Sequence, residues 1–134
     1  MLLYLLNKEE KGYFLDLLAK LIRADGDPSQ LDLQTVIGLR NEMGEEGIRY
    51  RKSNASLEKI IDYFSKTSKP TRNLVLLNLI GASLSDEFYS VEEHFLIEKI
   101  QESFQISNKK RAELTRMVYQ DRDVREKTKR VIAD

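Results

Sequence analysis

The 134 residues carry 22 basic and 22 acidic side chains, a formal charge of +0, so no global field draws the chain to nucleic acid or to an anionic membrane surface. The absence of cysteine excludes a disulfide framework, a thiolate zinc site and a cysteine nucleophile, and it fits a reducing, cytoplasmic setting. With 41% hydrophobic and 33% charged residues, the chain is expected to form one soluble all-α domain over 1–134.

The opening Met1-Leu-Leu-Tyr-Leu-Leu6 is apolar but too short for a secretory or membrane-spanning segment, and it reads as a docking strip for the core. A first helix starts at Asn7, which forms a capping-box pattern with Glu10, and ends near Asp25-Gly26. Its inward stripe is Tyr13, Phe14, Leu17, Leu18, Leu21 and Ile22. A second helix starts at Ser29, is expected to bury Leu33, Val36, Ile37 and Met43, and is broken by Gly44 and Gly47. Residues 44–55 form the one long polar connection, expected to be the most mobile segment.

Leu57, Ile60, Ile61 and Phe64 define a third, amphipathic helix. The fourth, started by Ser68 and Pro70, is apolar nearly all round from Leu74 to Ala82 and should be central. A fifth runs from Ser90 to about Gln105, with Phe95, Ile97, Ile100 and Phe104 expected inward. A sixth starts at Ser107 and a weaker seventh follows Asp121, completing a bundle of about seven helices. Residues 107–134 hold nine basic and five acidic side chains, leaving 13 and 17 in residues 1–106. This tail is expected either to fold back on an acidic body or simply to be solvated.

Two connections resemble each other: Ala24-Asp-Gly-Asp-Pro-Ser-Gln-Leu-Asp32 and Ser85-Asp-Glu-Phe-Tyr-Ser-Val-Glu-Glu93. Asp25 and Asp86, Ser29 and Ser90, and Asp32 and Glu93 recur at a single offset of 61 residues, which suggests two related helical hairpins. Ser29 with Asp32 and Ser90 with Glu93 each satisfy a capping box, so half of the motif is explained by helix initiation. Asp25 and Asp86 are different. Each falls where a helix ends, a position that disfavours a carboxylate by ~0.3–1 kcal/mol.

A hard divalent cation such as calcium, magnesium or manganese would compensate that charge. Asp25, Asp27 and Asp32 can supply oxygen ligands on one side and Asp86, Glu87 and Glu93 on the other. The spacing is not that of an EF-hand, because Gln30 falls at the glycine position and Val36 at the bidentate glutamate. Capping alone and metal or partner binding both remain open at this point.

The Ala24-Asp25-Gly26 turn with an acid seven residues after the aspartate, behind Leu17-Leu-Ala-Lys-Leu-Ile22, resembles the tellurite-resistance TerB family, and the second half matches in the same way. The resemblance covers roughly residues 7 to 120. It implies an all-helical bundle related to the middle region of a membrane-anchored DnaJ-like co-chaperone, a link to stress or tellurite resistance, and a metal role for the repeated acidic motifs. Carried over, the paired acids fall on Asp25 and Asp32 and on Asp86 and Glu93. The sequence departs from the family pattern in the shorter Asp32, in Pro28 at an aliphatic position and in Glu87 at the second glycine.

Other clusters are weaker. His94 faces Glu98 one turn on and is expected to form a surface ion pair. No Glu-x-x-His di-iron pattern accompanies it, because position 91 is Val91. Arg49-Tyr50-Arg51-Lys52 and Lys109-Lys110-Arg111 lack a recognition-helix context. No phosphate-binding glycine loop, nucleophile elbow or zinc-protease motif is present, so a non-enzymatic module is expected, partnered by another protein or a divalent cation.

Overall fold

Asn7 opens the first helix by accepting the Glu10 amide at 2.8 Å while Glu10 accepts the Asn7 amide at 2.8 Å, the reciprocal cap that the sequence predicts. The computed structural model describes residues 1–24, 26, 30–51, 53–85 and 90–134, the side chains of 30–32 excepted. The elements are α1 (Lys8–Ile22), α2 (Gln30–Glu42), α3 (Glu45–Ile48), α4 (Leu57–Ser65), α5 (Lys69–Leu84), α6 (Val91–Ser103) and α7 (Asn108–Ala133). Among the described residues there is no strand, and the chain is an all-α bundle. Ser56, Ser68, Ser90 and Ser107 cap α4, α5, α6 and α7 by accepting the amide three residues on. The expected cap at Ser29 lies outside the described residues.

The core is one cluster. Phe14, Leu17, Leu18 and Leu21 of α1 meet Ile60 and Phe64 of α4, Val75, Leu76 and Leu79 of α5, and Ile97 and Ile100 of α6. α5 packs against α1, α4, α6 and α7, which explains why it tolerates apolar residues on nearly every face. Its one buried amide, Asn78, donates to the carbonyls of Leu74 and Met1 at 2.9 Å each. With Leu3 and Leu6 buried, that bond holds the opening segment onto the bundle as the sequence reading expects.

The 61-residue offset extends well beyond the acidic loops. α1 and α5 start at residues 8 and 69, α2 and α6 start at 30 and 91 and end at 42 and 103, and the caps Asn7 and Ser68 keep the same spacing. The helix ends correspond as well. Gly44 donates its amide to Asn41 and Gln105 donates to Glu102, both at 3.0 Å, and both residues have a positive φ, 75° and 56°. At the second end Ile106 also donates to the Gln101 carbonyl at 3.1 Å, completing a Schellman closure.

Several expectations are corrected. Leu33 and Ile37 are exposed, Ile37 by 59%, because α2 rests mainly on α1, α3 and the opening segment and buries a narrow stripe through Val36, Leu39 and Met43. Phe95 is 62% exposed: it lies about 200° around α6 from Ile97, on the face away from Ile100. The long connection contains α3. Residue 47 must be glycine there, since a Cβ would stand 2.3 Å from the Arg40 carbonyl oxygen.

The expected sixth and seventh helices are one. No glycine or proline occurs after Ile106, so nothing interrupts α7 at Asp121. Its first half leans on α5 through Leu114 and Val118, and from Tyr119 onward nearly every residue is exposed. Residues 107–118 thus fold onto the bundle along α5, and the tail is solvated only from Tyr119 onward.

Candidate functional site

The acidic loops join α1 to α2 and α5 to α6, and the elements that flank them meet. Thr35 Oγ1, in the second turn of α2, lies 3.1 Å from Ser85 Oγ, the residue just before Asp86. Thr35 follows Asp32 by three positions, close to one helical turn. The helix that the first loop enters and the residue from which the second departs are therefore neighbours at one end of the bundle.

Of the acids expected to hold a cation, Asp25, Asp27 and Asp86 lie outside the described residues, as does Glu87. Asp32 lies in the first turn of α2, its side chain outside the description. Glu93 is described, at the third position of α6. Its amide donates to Ser90 Oγ at 3.1 Å, and the same hydroxyl lies 3.4 Å from Glu93 Oε1. Only 8% of Glu93 is exposed, unusual for a capping glutamate, because α6 turns this position toward the bundle. His94 Nε2 lies 3.0 Å from Glu98 Oε1, the surface pair that the spacing predicts.

A second carboxylate with built surroundings is one that the pattern of apolar residues conceals. Asp16, on the inward half of α1, is 7% exposed. It accepts the Tyr50 hydroxyl and the Ser53 hydroxyl, the latter at 2.6 Å, with the Ser53 amide at 3.4 Å. Burial, and then the hydrogen bond to Asp16, push the Tyr50 phenol well above its ordinary pKa, since both favour the neutral ring. Arg40 completes the clasp, donating to the carbonyls of Gly47 and Ile48 at 3.0 Å and Tyr50 at 3.3 Å, with its guanidinium over the Tyr50 ring at 5.6 Å. The loop expected to be most mobile is tied at these points.

A cavity of about 260 Å³ opens beside the clasp, where Lys20 and Arg23 face Asp16 and Ser53. With Tyr50 and Ser53 donating to its carboxylate, Asp16 acts as a structural anchor for the loop. The signal that could have found it is an acid set between Leu15 and Leu17 in a helix otherwise apolar on that side.

A cavity of about 250 Å³ lies between α5, α6 and α7, close to the second acidic loop, with Ile80 and Leu84 on one wall and Thr115 and Tyr119 on another. Arg111 borders it, its Nη1 donating to Gln101 Oε1 at 2.9 Å. Gln101 is itself fixed by donating to the Ile106 carbonyl at 3.0 Å and to Asn108 Oδ1 at 2.9 Å. No helix among the described residues is long and apolar enough to cross a membrane. Comparison with known proteins returns no match: no family model, no curated protein and no solved structure is similar to this chain.

Proposed function

We propose that the chain is a non-enzymatic, TerB-like helical module of the cytoplasm, linked to stress or tellurite resistance, that binds a divalent cation or a partner protein through its two acidic loops. The observation that carries this reading is the Thr35 to Ser85 contact at 3.1 Å, which draws the flanks of loops 24–32 and 85–93 to one end of the bundle. With the end of the first loop this close to the start of the second, acids from both halves can serve one ion, and hard cations take six to eight oxygen ligands. The extension of the 61-residue offset to helix starts, ends and caps supports treating the loops as equivalent halves of one device.

Calcium and magnesium titrations followed by amide NMR test the cation reading. Shifts concentrated at Asp25, Asp32, Asp86 and Glu93, and lost in Asp25→Asn with Asp86→Asn, are expected. Shifts spread evenly over the chain would sink it.

A second reading is favoured by the cap at Ser90, whose hydroxyl already engages the Glu93 amide and side chain. In that reading the acids only start helices and the chain is a pure protein-interaction module. The same double variant would then change stability by about 1 kcal/mol and leave the partner bound.

A further inference from the structure

Tyr13 of α1 and Tyr63 of α4 are distant in sequence and half-buried together at the edge of the core. Their rings stack with centroids 4.1 Å apart and planes 24° from parallel. That is closer than the roughly 4.5–7 Å at which aromatic side chains usually pair. Phe64 backs the pair, its ring edge-on to Tyr63 at 5.2 Å and to Tyr13 at 6.5 Å. Phe64 is itself fully buried and leans on Phe104, so the support is fixed by the core. No other two tyrosine rings stack on each other among the described residues.

We propose that this pair is a modification site, at which a one-electron oxidant, such as the carbonate or sulfate radical, joins Tyr13 to Tyr63 as an intramolecular dityrosine. Each phenol gives one electron to the oxidant and loses one proton, and the two ring carbons ortho to the oxygens then form a single carbon-carbon bond. The hydrogens on those carbons move through solvent to the phenol oxygens, which restores both aromatic rings. The product is two hydrogen atoms lighter, and the oxidant has taken both electrons.

The surroundings favour that chemistry at Tyr63. The Glu9 carboxylate lies beside its hydroxyl and receives the proton as the electron leaves. Burial, and then Glu9, hold the Tyr63 phenol up at about 12, so the ring enters the reaction neutral with an acceptor in place. The chain has no cysteine, so no thiol of its own intercepts the radicals. The bond closes a segment that contains α2, α3 and the loop clasped by Asp16, and it restricts the unfolded chain more than the folded one. It needs none of the acids in the two loops and stands apart from the cation reading.

Sulfate radical from photolysed persulfate is the probe, applied to the dilute full chain and followed by dityrosine fluorescence, denaturing gels and mass spectrometry of a tryptic digest. A cross-linked monomer two hydrogen atoms lighter is expected, with one linked peptide joining residues 12–20 to 60–66, each of which contains a single tyrosine. Tyr13→Phe and Tyr63→Phe keep both rings and should each lose that peptide, and Glu9→Gln should lower its yield at the same dose. The linked monomer should melt above the Tyr63→Phe variant treated in the same way. Four results would each overturn the assignment: dityrosine confined to covalent dimers through the exposed Tyr4 or Tyr119, the linked peptide surviving in either phenylalanine variant, an equal yield from the urea-unfolded chain, or tyrosine oxidation with no link at all.

Discussion

The hairpin α1–α2 and the hairpin α5–α6 begin and end in register, yet they occupy different places in the bundle. α5 is enclosed by four other helices, whereas α2 leaves Leu33 and Ile37 in solvent. The same local signals, a cap, an amphipathic stripe and a positive-φ closure, therefore specify the helices without specifying how much of each is covered. Coverage is set by the chain downstream of each hairpin. After the first come the short α3 and a clasped loop, and after the second comes the 26-residue α7, which lies on α5.

The largest expected effect tests whether the two halves contribute equally to stability. Leu18 and Leu79 are equivalent and both fully buried. Leu18→Ala and Leu79→Ala should each cost about 2–5 kcal/mol in chemical denaturation. A loss below about 1 kcal/mol for Leu18→Ala alone would mean that the first hairpin is only loosely joined to the core.

A middle-sized effect comes from exchanging the residue in which the halves differ most. Asp16 occupies the place of Leu77, so Asp16→Leu gives the first half the second half's residue. It strands the Tyr50 and Ser53 hydroxyls and should cost about 1–3 kcal/mol, with faster amide exchange at residues 53–55. The pH dependence has a definite sign. The Tyr50 pKa is raised on folding, so its contribution is fully present below pH about 10 and is lost as pH climbs through the folded value. The parent should weaken above about pH 10, and Asp16→Leu should weaken less steeply. Parallel pH profiles would remove Asp16 from the account.

The smallest effect sharpens the comparison at the helix ends. Gln105 holds a φ of 56° where the first half has Gly44 at 75°. Gln105→Gly relieves left-handed strain at the cost of extra chain entropy and should gain roughly 0.5–1 kcal/mol in thermal melts. A loss would indicate that the Gln105 side chain supports the closure.

The all-α class, most helix starts, the central place of α5 and the docking of Leu3 and Leu6 were legible from periodicity and caps, because those signals are local; the total of seven helices agrees only because the unexpected α3 offsets the fusion of the last two. Phe95 and Ile37 were misplaced because an apolar residue beside a stripe is buried only if another element covers it, and no local pattern records that. The helix expected to start after Asp121 instead continues α7, because no glycine or proline stands there to interrupt it. Within the candidate site, the cap at Glu93 and the pair of His94 with Glu98 were readable from spacing. Asp16 was not, since its role depends on Tyr50 and Ser53, partners more than thirty residues away in sequence.

The unpacked half of α7 makes the molecule lopsided. Its residues 119–133 add a spoke of roughly 22 Å, at 1.5 Å of rise per residue. Its local bonds include the pairs Asp121 with Arg125 and Glu126 with Lys129, both exposed and both within the helix itself. Rotational diffusion should therefore be axially asymmetric. Along this single helix the relaxation rates should change between Val118 and Tyr119, where an anchored rod becomes a wagging one.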